Sequence, residues 1–355
     1  MHPALSTRFC ELVGCRLPVV QTGMGWVSGA SLTAATSAAG GFGILAAVTM
    51  TPDQFVEAVR TVKQRTDAPF GANFRADQPD LDDHIELCVR EGVRLVSFAG
   101  APTKDAIGRL HDAGILVMPT VGARRHAEKM LDWGVDAVIA QGGEGGGHTG
   151  TIPTSLLLPQ VVDAVGHAAP VLGAGGFHDG RGLVAALAWG ADGVAMGTRF
   201  LLTAESRVPD AVKARYLAAA VTDTVVTTAL DGAPQRVIRT ETVDRLERSS
   251  VVTRLPRALR SALAFRKLTG TTLRDLVREG LAMRRNQDLT LSQTAMAANA
   301  PMLIKAALVD GRSDVGVLPT GQVTGVITEL PTVAELIDRI TAEATATLER
   351  LDGGS

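Results

Sequence analysis

The chain has little cysteine, no surplus of either charge and no long apolar run. Its three cysteines, Cys10, Cys15 and Cys88, are odd in number and lack metal-pair spacing. A disulfide framework is therefore not expected, and a reduced, cytoplasmic compartment is. The net charge of −2 argues against general nucleic-acid binding. No apolar stretch reaches the roughly 18 residues of a spanning helix, so no membrane partner is expected. Met1 to Ser6 show no basic segment followed by an apolar one, so no signal peptide is expected. A G-x-G-x-x-G in βαβ context is missing, which speaks against a built-in Rossmann domain. A nucleophile elbow and a metal site are missing too. What remains, 46% hydrophobic and 20% charged, is the composition of a folded globular protein.

Short β-branched runs recur at Pro18–Gln21, Phe42–Ala46, Phe70–Phe74, Leu95–Phe98, Leu116–Pro119, Ala137–Gln141, Pro170–Gly173 and Gly193–Met196. Several are apolar throughout, as parallel strands covered on both faces should be. The stretches between them have helical spacing, as in Phe55, Val56, Val59 and Val62 after the start signal Thr51-Pro52-Asp53. A repeat of about 25 residues is one βα unit, and eight units predict an α/β fold of the TIM (β/α)8 barrel type. The rhythm stops after Thr203. Residues 206–300 read as a mostly helical inserted subdomain, and Pro331-Thr332-Val333 opens a C-terminal return helix. The expected division is a barrel over 1–205, a substrate-side subdomain over 206–300 and a return over 301–355 that packs on the barrel.

Barrel active sites lie where strands end. After the sixth run comes Gln141-Gly142-Gly143-Glu144-Gly145-Gly146-Gly147-His148-Thr149-Gly150, with six glycines in ten residues. Such a loop lets the backbone pass close to a flat ligand. Gln21-Thr22-Gly23-Met24-Gly25, Asn73, Ala174-Gly175-Gly176 and Gly197-Thr198 end other strands at the same mouth. The glycines after strands seven and eight match the usual barrel phosphate site. Asn73 and Gln141 each donate and accept, which suits a ring edge such as an isoalloxazine pyrimidine, and Met24 suits its apolar face. His148 is the candidate acid/base. Glu144 either orients it or stands in solvent. His84, His111, His126 and His167 fall on helix-like stretches and read as surface residues.

These stretches, with Ala195-Met196-Gly197-Thr198-Arg199-Phe200, resemble the nitronate monooxygenase family, whose relatives include flavin-dependent enoyl-thioester reductases. The resemblance spans essentially the whole chain. It implies FMN held at Met24, Asn73, Gln141, Gly146, Gly175, Gly176, Gly197 and Thr198. Gly23, Gly25, Gly147, Ala195 and Met196 complete the expected set from the same motifs. It implies that His148 is the active-site histidine and that Gln322 of Gly321-Gln322 lies near the mouth. The loop from Gly142 to Gly150, Val225-Val226-Thr227-Thr228, Leu291-Ser292-Gln293 and Met296 to Leu303 resemble more narrowly the actinobacterial members acting on a CoA thioester in breakdown of steroid rings C and D.

That narrower resemblance implies α,β-dehydrogenation of the CoA thioester of a hydroxylated indane-type acid, with NAD or O2 as electron acceptor. The alternatives are nitronate oxidation with O2, enoyl-thioester reduction, and a flavoprotein that binds without turnover. One feature stands apart from the resemblance. Arg245, Arg248, Arg254, Arg257, Arg260, Arg266 and Lys267 face one acid, Glu247, in a chain of balanced charge. The run is either a solvated helical face or a dock for CoA phosphates, with Arg254 and Arg257 beside Pro256 as the chosen pair. A homodimer is compatible with all of this.

Overall fold

The eight apolar runs close into a barrel in the computed structural model, which describes residues 2–78, 80–248 and 299–353. Its strands are β1 (Val19–Gln21), β2 (Phe42–Ala46), β3 (Gly71–Phe74), β4 (Leu95–Phe98), β5 (Leu116–Val121), β6 (Val138–Gln141), β8 (Val171–Ala174) and β9 (Gly193–Met196). A two-residue strand, β7 (Gly147–His148), lies outside it. Neighbouring barrel strands run parallel, and β9 closes on β1 through Val20↔Ala195. Helices α2 (Ala30–Ala38), α3 (Pro52–Arg65), α4 (Leu81–Glu91), α5 (Lys104–Asp112), α6 (Arg124–Asp132), α7 (Thr154–Val165) and α8 (Gly180–Ala188) cover the outside. The chain is a TIM barrel, with strands buried on both faces because each βα connection lays a helix on the sheet.

The barrel interior is a small apolar cluster that includes Val20, Ile44, Met118, Ile139, Leu172 and Ala195. A helix before the first strand, α1 (Arg8–Val13), plugs its lower end with Phe9 and Val13. Phe9 meets Phe42 edge to face at 6.0 Å. Arg8 secures the plug by a fork on Asp192, at 3.0 and 2.9 Å. The outer layer is built as the helical spacing predicts. Phe55, Val59 and Val62 of α3 are buried, and Thr51 and Gln54 form a capping box at its start.

After β9 come α9 (Thr198–Leu201), α10 (Asp210–Leu217), β10 (Thr224–Thr227), β11 (Gln235–Ile238) and α11 (Glu241–Arg248). The described chain resumes with α12 (Asn299–Leu308) and ends in α13 (Val333–Leu351). The strands β10 and β11 form a three-stranded antiparallel sheet with β7, so the inserted part is not helical throughout. α13 packs against α8 and α2, in the place of the barrel's eighth helix. A capping box of Thr332 and Glu335 starts it. The excursion between β9 and α13 is therefore an insertion into the last βα unit.

One histidine differs from expectation. His84 of α4 is fully buried, its ring tilted against Phe55 and Phe74 at 5.5 and 5.3 Å. Leu81, His84, Ile85 and Cys88 share the buried face at helical spacing, and that periodicity outweighs the polarity of the imidazole. His111, His126 and His167 are exposed.

The contact of α13 with α8 has no spare room at Gly180. A Cβ there would lie 2.4 Å from both Ala344 N and Ile340 O, which are backbone atoms of α13. Gly180→Ala is expected to lower folding stability by about 1–3 kcal/mol, the usual cost of overpacking. Thermal or denaturant unfolding measures it, and an unchanged midpoint would contradict this account of the closing helix.

Candidate active site

The loop after β6 is held by its few polar side chains and by neighbouring segments. Gln141 Nε2 donates to His148 O at 2.7 Å, and Gly143 N to Ile152 O at 2.7 Å. The Glu144 carboxylate accepts from Thr154 N at 2.9 Å and from Thr154 Oγ1 at 2.7 Å. It thus caps the start of α7, where the helix dipole favours an anion. Glu144 neither orients His148 nor stands in solvent. Arg236 donates from Nε and Nη2 to Gly143 O, at 3.2 and 2.9 Å. Burial lowers the pKa of this guanidinium from its ordinary value, while nearby Glu144 acts the other way.

His148 sits on β7, paired with β11 in the register Gln235↔His148 and Arg236↔Gly147. Its Nε2 lies 2.8 Å from Asp231 Oδ2. Gln235 Nε2 donates to the same oxygen. The His148 side chain is 67% exposed, while that of Asp231 is only 10% exposed. Asp231, Gln235 and Arg236 were not singled out from the sequence. They come from the insertion, 83 to 93 residues along the chain from their partners, a distance no local pattern spans.

The other expected positions gather around the barrel mouth. Asn73 Nδ2 donates to Ser97 Oγ at 2.9 Å, and a Cβ on Gly23 would meet the Asn73 side chain at 2.2 Å. Gly25 packs near Thr49 and Val48, and the next residue, Trp26, is left-handed at φ 67°. Met24 Sδ lies 3.4 Å from where a Cβ on Gly197 would stand. Gly175 and Gly176 take left-handed φ values of 92° and 87°, which glycine alone adopts without strain. The return segment closes the ring. Gly321 N donates to Thr198 Oγ1 at 2.9 Å, and Gln322 N to Glu144 O at 3.0 Å. A Cβ on Gly146 would meet Thr320 C at 2.3 Å and Gly321 N at 2.5 Å, so this glycine serves the approach of the return segment. Ala195 and Met196 are buried, Ala195 in the barrel interior; Met196 O accepts from Thr22 N at 3.2 Å.

The donor set fits a flat, polar-edged cofactor such as a flavin. Among the described residues no hydrogen bond engages Asn73 Oδ1 or Gln141 Oε1, which leaves two amide acceptors at the mouth. Gly147 has nothing within 4 Å of a built Cβ, and Gly176 only Glu144 Cβ at 3.9 Å. The lack of a side chain leaves open space beside the backbone at both. Arg254 and Arg257 lie outside the described residues, as does most of the basic run. Within it, Arg245 donates to Glu241 O and Thr242 Oγ1, both at 3.3 Å. Among the described residues no three acidic, histidine or cysteine side chains are grouped to hold a metal. None of the described helices is long and apolar enough to cross a membrane.

The family model described as nitronate monooxygenase matches residues 6–343. A Mycobacterium tuberculosis protein named (3aS,4S,5R,7aS)-5-hydroxy-7a-methyl-1-oxo-octahydro-1H-indene-4-carboxyl-CoA dehydrogenase is 56% identical, over 97% of this chain and 98% of its own length. A Rhodococcus jostii protein of the same name is 53% identical, over 98% and 97%. The solved structure of FabK from Thermotoga maritima superposes with a TM-score of 0.78 at 34% identity, over 98% of this chain and 99% of that one. A family match over nearly the whole chain, on a barrel whose mouth gathers the expected glycines, amides and histidine, makes this protein a member of the nitronate monooxygenase family of flavin-dependent oxidoreductases.

Proposed function

We propose that the chain is an FMN-dependent dehydrogenase that introduces an α,β double bond into the CoA thioester of a hydroxylated indane-type acid. The observation that carries this reading is the near-full-length identity of 56% and 53% to two proteins named for that activity. The alignments cover 97% and 98% of this chain, so they take in barrel and insertion alike. Generic family members and this chain are expected to differ most in the insertion, which supplies residues to the histidine loop. Nitronate oxidation is the second reading, favoured by the family model and by relatives of lower identity named for it.

In this reading the barrel mouth holds the cofactor. Asn73 and Gln141 present amide acceptors to its ring edge, Met24 covers a ring face, and Gly175, Gly176, Gly197 and Thr198 receive its phosphate. A bound flavin supplies the two-electron acceptor for the hydride that leaves the substrate β-carbon. His148 takes the α-proton, which the thioester carbonyl acidifies; the electron pair of that C–H bond becomes the new C=C π bond, while the pair of the β C–H bond leaves with the hydride. The basic run over residues 245–267, including Arg254 and Arg257, is assigned to the CoA phosphates. The chain then divides its labour into a cofactor barrel over 1–205, a substrate side over 206–300 and a return over 301–355.

Two measurements check the cofactor and the base. Purified protein is expected to be yellow and to release FMN on denaturation, and Gly146→Ala to retain less of it, because the new methyl displaces Thr320 and Gly321 from the mouth. Release of FAD, or full FMN retention by the variant, would contradict the site assignment. His148→Ala is expected to keep FMN but to slow anaerobic reduction by the CoA ester by about 10²–10⁴-fold, the contribution of a positioned acid/base. A near-normal rate with full cofactor content would remove His148 from the proton step.

A further inference from the structure

We infer that Asp231, delivered by the insertion, is the positioning residue of His148: it holds the proton on Nε2 and so makes Nδ1 the nitrogen that meets the substrate. The inference rests on the reading of His148 as base and adds which atom acts and what sets it.

The carboxylate is placed for that task. Asp231 is 9% exposed. Its Oδ1 accepts from Ala233 N at 3.1 Å, which pins the side chain to its own turn. Gly232 makes that turn with a left-handed φ of 91°. The remaining oxygen, Oδ2, faces two groups, His148 Nε2 at 2.8 Å and Gln235 Nε2. An ionised carboxylate only accepts hydrogen bonds, so both facing atoms must carry a hydrogen. Gln235 Nε2 also lies 3.2 Å from His148 Nε2, close enough that the two donors converge on one acceptor. Turning the Gln235 amide over would set its oxygen against the carboxylate. The amide orientation and the histidine tautomer are therefore fixed by the same charge.

A neutral imidazole has one N–H. With that hydrogen on Nε2, Nδ1 keeps its lone pair. Among the described residues no hydrogen bond engages Nδ1, and the ring is largely exposed at the mouth. The backbone beneath the ring is held, because it is paired on β11 and Thr149 N donates to Pro234 O at 3.1 Å, and Asp231 engages the ring from that fixed base. Once Nδ1 has taken a proton the ring is cationic, and the buried carboxylate on its far side stabilises that charge. Asp231 touches neither substrate nor cofactor in this arrangement; it acts through His148.

The test reads the tautomer directly. Long-range 1H–15N spectra of histidine-labelled holoenzyme, with His148→Ala to assign the signal, are expected to show His148 protonated on Nε2. In Asp231→Asn the amide keeps an oxygen for Ala233 N but offers no anionic acceptor, and the Nδ1–H form is expected to appear. Anaerobic reduction by the CoA ester should slow by about 10²-fold or more, within the range of a lost general base, with substrate affinity within a few-fold of wild type. Asp231→Glu restores a carboxylate and should recover at least tenfold of that loss. A wild-type His148 protonated on Nδ1 would overturn the inference, as would wild-type rates and an unchanged tautomer in Asp231→Asn. Should Asp231→Asn not fold, the wild-type spectrum decides alone. A slow His148→Ala with a fast Asp231→Asn sinks the positioning role only. A fast His148→Ala sinks the base reading and leaves the tautomer measurement standing.

Discussion

A loop with six glycines in ten residues cannot hold a histidine still by itself, because each glycine adds backbone freedom and contributes no side chain to pack. The restraint comes from outside. Arg236 grips the carbonyl of Gly143, Glu144 is tied to the start of α7, and Gly321 and Gln322 press on Gly146 and Glu144. β11 pairs with the two residues that end in His148. The backbone can thus lie close to a flat ligand, and the backbone that carries His148 is still held in place. The insertion and the return segment are, in this sense, the missing walls of the loop.

This division explains how one barrel serves different substrates. The strands, their inner cluster and the plug of Phe9 and Val13 build a rigid frame whose mouth is lined by backbone and amides. The frame says little about which molecule is oxidised. The insertion lies between the last strand and the last helix, so it stands over the mouth without disturbing the sheet. It reaches His148 through Asp231 and Gln235. Substrate choice and proton handling can then change together as the insertion changes.

The barrel was legible because its strands are apolar throughout and recur at one βα length, and the expected runs agree with the observed strands to within a residue or two at most ends. His148 stood out in the sequence because an imidazole in a glycine loop at a strand end has few structural reasons to be there, and the structure sets it against Asp231. Asp231 and Gln235 were not, since their role exists only through the β7–β11 pairing. The strands β10 and β11 themselves were hidden: each is four residues long, and β11 finds its outer partner in a glycine loop. The signal for His84 was present, as it shares a helical face with Leu81, Ile85 and Cys88, but its polarity was given more weight than its position. Gly146 was read as a cofactor contact, and the backbone it makes room for is that of Thr320 and Gly321.

The central claim is that the mouth of this barrel oxidises a CoA thioester. Anaerobic mixing of the holoenzyme with the CoA ester of a hydroxylated indane-type acid, and separately with a nitronate, tests it most directly. The account predicts that the CoA ester bleaches the flavin absorbance and leaves an α,β-unsaturated CoA ester, two hydrogens lighter by mass. Bleaching by the nitronate with an unchanged spectrum in the CoA ester would contradict it.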